Sequence, residues 1–155
     1  MKTFLLMVIA IFILTGCTTR NAFESFNLKN DQESAVENSH SGKIIKNGEV
    51  VGLYSAVYLN NVYTHVNDSR EAFYISLYKK DGIYHNIKFT LNSKEAIRMD
   101  ELSDDNQFKH LLSTKNSWSR YYLVTFAEDE KSNANILKIE SDLSSSGQVF
   151  FLKEQ

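Results

Sequence analysis

The chain has 155 residues, with 17 Lys and Arg against 19 Asp and Glu and a formal net charge of −2; no stretch gathers the convergent cations that a phosphate backbone requires, so nucleic acid is not expected as a partner. A single cysteine excludes an intramolecular disulfide, and no two of the four histidines (His40, His65, His85, His110) are close enough in sequence to give the paired ligands of a zinc site. Proline is absent, so every turn has to be made by Gly, Asn, Asp or Ser.

Met1, Lys2 and Thr3 precede an unbroken apolar run from Phe4 to Leu14, followed by Thr15, Gly16 and Cys17. At ~1.5 Å per residue that run is too short for a hydrocarbon core of ~30 Å, and with one basic side chain before it and small residues after it the pattern is that of a removable export signal over residues 1–16. Leu14-Thr15-Gly16-Cys17 resembles the lipobox of bacterial lipoproteins. The resemblance implies lipidation of the Cys17 thiol, cleavage before Cys17 and acylation of the new amino terminus. Because Thr18 and not Asp follows, it also implies residence at the outer membrane, with the domain expected in the periplasm. Such an anchor is held by its acyl chains, each buried CH2 contributing roughly 0.8 kcal/mol.

Residues 17–42 are polar and aperiodic apart from Phe23 and Phe26 and read as a flexible tether, which leaves 43–155 for the domain. Within the tether a weak helical pattern covers Glu33 to Asn38, and a rival reading has Phe23 and Phe26 adding an edge strand to the domain.

From Lys43 the pattern is extended. Ile44-Ile45 leads through the turn pair Asn47-Gly48 into a run with Val51, Leu53, Ser55, Val57 and Leu59 on one face and Val50, Tyr54, Ala56 and Tyr58 on the other, a central strand apolar on both sides. Between Ala72 and Tyr78, the residues Phe73, Ile75 and Leu77 alternate with Tyr74, Ser76 and Tyr78. The Asp81-Gly82 pair then predicts a hairpin whose return strand carries Ile83, His85, Ile87, Phe89 and Leu91 in phase. Ala96, Ile97 and Met99 form a short strand. Ser103 before Asp104 and Asp105 offers a helix cap, and Phe108, Leu111 and Leu112 follow at helical spacing, which predicts one or two helical turns. Alternation resumes over Ser119 to Ala127, and Ile136 to Ile139 and Val149 to Leu152 are the last two strands.

Seven or eight strands joined by short turns, with one short helix, predict an all-β chain: an antiparallel β-sandwich of immunoglobulin-like topology. Before Asp100 there is no room for the amphipathic crossover helices of a βαβ fold. In its size, and in its Tyr-rich strands behind a lipobox, the chain resembles small lipoproteins that carry a variant immunoglobulin-like domain.

Patterns that carry chemistry are sparse. His85 is in phase with Ile83 and Ile87 and reads as an imidazole at the edge of the core, the alternative being a pairing with His65 across the sheet. Asp100, Glu101, Asp104 and Asp105 lack the alternation of a calcium loop and read as solvated. Ser144-Ser145-Ser146-Gly147 has no nucleophile elbow around it, and Gly48 and Gly52 lack the frame of a phosphate loop. No catalytic group, metal or cofactor is therefore expected. The expected function is a lipid-anchored envelope module that binds or assembles through protein contacts, with an envelope protein or a second copy as partner; a purely structural envelope lipoprotein, or a metal-binding or hydrolytic domain, is the alternative. Tyr54, Tyr58, Tyr74, Tyr78 and Tyr84 fall opposite the better core residues and are expected to face outward as the contact surface. The other reading of these tyrosines is that a covered second face takes them in.

Overall fold

The computed structural model describes residues 30–63, 70–82, 84, 86–112, 118–129, 132–141, 144–146 and 148–153. The expected signal segment, Cys17, Phe23 and Phe26, and His65 and His85 lie outside the described residues.

The elements in order are α1 (Asn30–Glu37), β1 (Ser39–Lys46), β2 (Glu49–Tyr58), the single-turn helix α2 (Leu59–Val62), β3 (Arg70–Lys79), β4 (Ile87–Leu91), β5 (Lys94–Glu95), β6 (Arg98–Leu102), a 3-10 turn (Lys109–Leu111), β7 (Arg120–Ala127), β8 (Ala134–Ser141), β9 (Ser144–Ser146) and β10 (Val149–Leu152). Strands β1-β2-β3-β7-β6 form one layer, and β5-β4-β8 with β10 form the other. The ladders are antiparallel, and β9 pairs with both β8 and β1, so hydrogen bonding runs on from one layer into the next. The fold is the antiparallel β-sandwich that the sequence predicts.

Alternation sets the core. Tyr54, Ala56 and Tyr58 of β2, Phe73, Ile75 and Leu77 of β3, and Tyr122, Val124 and Phe126 of β7 face Phe89 and Leu91 of β4, Leu137 and Ile139 of β8 and Phe151 of β10. Asn47 and Gly48, with φ of 51° and 84°, make the predicted turn between β1 and β2. Gly52 is required by close approach, since a Cβ there would lie 2.6 Å from the carbonyl oxygen of Tyr78 on β3.

The expected hairpin at Asp81-Gly82 does not form. Gly82 has the positive φ of a turn residue, 65°, yet β3 is flanked by β2 and β7, with Ile75 opposite both Ala56 and Tyr122, and β4 pairs with β8, Phe89 opposite Ile139. Two in-phase apolar runs bury their side chains equally well in one ladder or from facing layers. Here both edges of β3 are taken by the long strands β2 and β7, and the chain crosses to the other layer. The short strand expected over 96–99 is displaced to Arg98–Leu102, and the helix expected after Ser103 is reduced to the 3-10 turn.

The domain also begins earlier than residue 43. Residues 30–42, read as tether, form α1 and the first half of β1, whose Ser39 to Gly42 pair with Val57 to Tyr54. Polarity conceals the helix, because α1 buries only the small side chain of Ala35 and is otherwise fixed by polar contacts. Asp31 Oδ2 lies 2.6 Å from His110 Nε2, and Gln32 Nε2 donates to the His110 carbonyl at 3.0 Å. Asp31 and Glu33 also suit the first turn of a helix, where the dipole favours negative charge.

Burial pushes the Asp31 carboxyl up, but the hydrogen bond and charge of His110 outweigh it and hold the group below its ordinary value. A carboxyl with a lowered folded-state value stabilises fully above its unfolded value, and the contribution is lost as the pH falls through the folded one. The stability difference between the natural chain and Asp31→Asn, under about 1 kcal/mol for so exposed a pair, is therefore expected at about pH 5 and should vanish toward about pH 2. Denaturant titrations of both proteins across that range measure it.

Candidate functional site

The outward face of the first layer is not a bare sheet. Val57, Leu59, Tyr74 and Tyr121 pack beneath Ala35 of α1 and Leu111 of the 3-10 turn, and Tyr63, Phe108 and Leu123 lie at the margin of this second apolar cluster. Tyr74 stacks on Tyr121, ring centroids 6.0 Å apart and planes 10° from parallel, and meets Phe108 at 5.6 Å. Its hydroxyl accepts a hydrogen bond from Asn106 Nδ2 at 3.3 Å, and burial pushes that hydroxyl up to about 12.

Of the tyrosines expected on an outward surface, Tyr54, Tyr58, Tyr74, Tyr78 and Tyr84, the first three are instead buried. Tyr54 and Tyr58 face the core between the layers and are 2% and 3% exposed, while Tyr74 is fully buried at 0% in the second cluster. Tyr54 is taken in because Gly42 faces it across the ladder, where a Cβ would come within 2.5 Å of the ring. Tyr74 is taken in because α1 arrives from a segment that reads as tether. Tyr78 and Tyr84 are half-buried. The Arg120 guanidinium sits 4.7 Å above the Tyr84 ring, and the Tyr84 hydroxyl donates to the Trp118 carbonyl at 2.9 Å while accepting from Lys79 N at 3.1 Å.

Beside the second cluster, where the cover ends, the outward face opens into a groove of about 510 Å³. Ala72 of β3 and Leu123 and Thr125 of β7 line it together with Leu59, Tyr63 and Phe108, and its polar side chains are Asn60, Arg70, Arg98, Asp100 and Gln107. The rings of Tyr63 and Phe108 are 6.4 Å apart. Asn60 fixes α2 to the start of β3, accepting from Ala72 N and donating to the Arg70 carbonyl, both at 2.8 Å. Arg98 Nε contacts Asp100 Oδ2 at 2.7 Å. Burial raises the Tyr63 hydroxyl, and the charge of Asp31 adds to the effect. Thr125 Oγ1 is buried with no hydrogen-bond partner among the described residues, which leaves a polar atom at the groove without a bond that folding would otherwise supply.

This arrangement can hold apolar groups against aromatic side chains, with the Arg98–Asp100 pair beside them for polar contacts. The described lining residues include no histidine, cysteine, serine or lysine from which a nucleophile and base could be built. Among the described residues no three His, Cys, Asp or Glu side chains are grouped to hold a metal ion, and no helix is long and apolar enough to cross a membrane. The two described histidines are engaged elsewhere: His110 fixes α1, and His40 sets its ring against Phe151 at 4.7 Å.

Sequence reasoning missed both the groove and a carboxylate inside the sandwich. Glu71 is 3% exposed. Lys153 pairs with its Oε1, and the Tyr58 hydroxyl and Asn135 Nδ2 donate to its Oε2, the latter at 3.2 Å. Burial, and then the Glu71 charge, push the Tyr58 hydroxyl well above its ordinary value. Lys153 Nζ also donates to the Asp129 carbonyl at 3.0 Å. A signal for this cluster exists in the sequence, because Glu71 is in phase with Phe73 and Ile75, and Asn135 with Leu137 and Ile139. Arg70 and Arg98 carry no such signal, since a lone arginine at a strand end reads as solvated. Comparison of the chain with known protein families, with curated proteins and with solved structures finds no match.

Proposed function

We propose that the chain is a lipid-anchored module of the bacterial cell envelope, held at the outer membrane through Cys17 with its domain in the periplasm, that binds a segment of another envelope protein and performs no catalysis. The groove between α2, β3, β7 and the turn carrying Phe108 supports this reading, because its apolar lining, with Tyr63 and Phe108, suits a segment that presents apolar side chains, and Asn60, Gln107 and the Arg98–Asp100 pair lie beside it for polar contacts. Lipidation of Cys17 would confine the domain to the neighbourhood of the bilayer. Confinement of that kind raises the effective concentration of a partner on the same surface.

A photo-reactive residue placed at Gln107 on the groove is expected to give discrete protein adducts in native membranes. The same residue at the exposed position Lys88 on β4, in the other layer, should not give them. Filling the groove by Ala72→Trp should abolish the Gln107 adducts. Equal adducts from both positions, or none from Gln107, would count against the reading.

A further inference from the structure

β6 ends the first layer, and among the described residues no strand pairs with its outer edge. The ladders fix which of its main-chain groups point there. Lys80 N donates to the Val51 carbonyl at 2.8 Å, so the even-numbered residues of β3 direct their N–H and C=O groups at β2 and the odd-numbered ones at β7. β7 answers β3 with its even-numbered residues and turns the odd-numbered ones to β6, where Arg98, Asp100 and Leu102 stand opposite Thr125, Leu123 and Tyr121. The main-chain groups of Met99 and Glu101 therefore point away from the sheet. Met99 is 46% exposed and its neighbour Ile97 58%. An edge with unpaired main chain and exposed apolar side chains is a template for another strand.

Ile97 N is bonded inward to the Thr125 carbonyl at 2.9 Å, so a second copy approaching antiparallel can bond to this edge only where Met99 or Glu101 meets Met99 or Glu101. Three such registers put the two-fold axis on Met99, Asp100 or Glu101. Two of the three set identical charges face to face, Asp100 on Asp100 or Glu101 on Glu101, which is destabilising directly across a ladder. The register centred on Met99 instead sets Met99 on Met99, Arg98 on the Asp100 of the second copy, and Asp100 on its Arg98. Those charged pairs fall at the non-hydrogen-bonded positions, where side chains approach most closely. Within one chain Arg98 Nε already contacts Asp100 Oδ2 at 2.7 Å, so both residues only exchange one partner for its equivalent across the seam.

We propose that two copies of this chain join edge to edge through β6, antiparallel and centred on Met99, so that their first layers become one continuous sheet. The inference goes beyond the ligand of the groove and stands without it, since main-chain bonding and the charge pattern of β6 carry it.

The test is disulfide trapping of the full chain in native membranes. Facing Met99 residues would have Cα atoms about 5.5 Å apart, within the span of a disulfide. Met99→Cys is expected to give a disulfide-linked dimer at several times the level of the natural chain, which controls for Cys17, and of Asp100→Cys. Adding Arg98→Asp or Asp100→Arg to Met99→Cys places like charges across the seam and should lower the yield by about tenfold. Combining the two reversals restores opposite charges and should restore the yield. The proposal is overturned if Met99→Cys gives no more dimer than the natural chain, or if Asp100→Cys traps more. It is equally overturned if single reversals leave the yield unchanged, or if the combined exchange fails to restore it.

Discussion

Replacing Lys153 with Met is expected to cost the fold about 3 kcal/mol, because it leaves Glu71 charged, buried and without its cation. Lys153 retains some solvent access, its side chain being 19% exposed against 4% for Glu71, which places the loss at the lower end of the range for broken buried pairs. Adding Glu71→Gln should recover most of it, since a neutral amide no longer needs the ammonium and can still accept from Tyr58 and Asn135. Chemical denaturation of the single and double variants tests this directly. Equal losses in both would mean that packing of the lysine stem, and not the stranded carboxylate, causes the destabilisation.

Tyr74→Ala is expected to destabilise by roughly 3–5 kcal/mol, as much as Phe73→Ala on the opposite face of the same strand. Both side chains are fully buried, Phe73 between the layers and Tyr74 against Tyr121 and Phe108 beneath α1. A tyrosine on an open sheet face would lose only about 0.5 kcal/mol. Parallel thermal melts should show both midpoints falling by on the order of 10 °C. A Tyr74→Ala protein that melts with the natural one would mean that α1 does not cover the sheet in solution.

The long strands were legible because they have one strongly apolar phase, whereas β5 and β9 contain no apolar residue and do not read as strands in the sequence. Phe73, Ile75 and Leu77 could only face inward, and alternation located Phe89, Leu137 and Phe151 in the same core without showing which layer each would join. Layer assignment depends on which edges are left for pairing, and the Asp81-Gly82 turn fits a crossing as well as a hairpin. The tyrosines were misplaced for a related reason. The phase of Tyr74 on β3 was read correctly, but its burial depended on α1, a helix with one buried alanine that shows in the sequence only as the weak pattern over Glu33 to Asn38. Tyr54 and Tyr58, by contrast, lie in the phase of β2 that faces the core. The groove was illegible because residues from α2, β3, β6, β7 and the turn at Phe108 meet only after folding. Glu71 and Asn135 stood out of phase with their chemistry, which is how a sequence shows a buried polar contact before the partner is known.

The attachment of α1 has a mechanical consequence. On the proposed anchoring through Cys17, a pull from that end of the chain reaches α1 before the sheet, and α1 is held by the Asp31 contact with His110, the Gln32 bond and the single buried Ala35. The next element, β1, is laddered to β2 from Ser39 to Lys46 and must be sheared along its length to yield. Under load the helix therefore lets go first, and on stretching from about 12 Å to about 27 Å it lengthens the leash by about 15 Å while the sandwich stays closed. Release of α1 would take the cover from the stacked rings of Tyr74 and Tyr121.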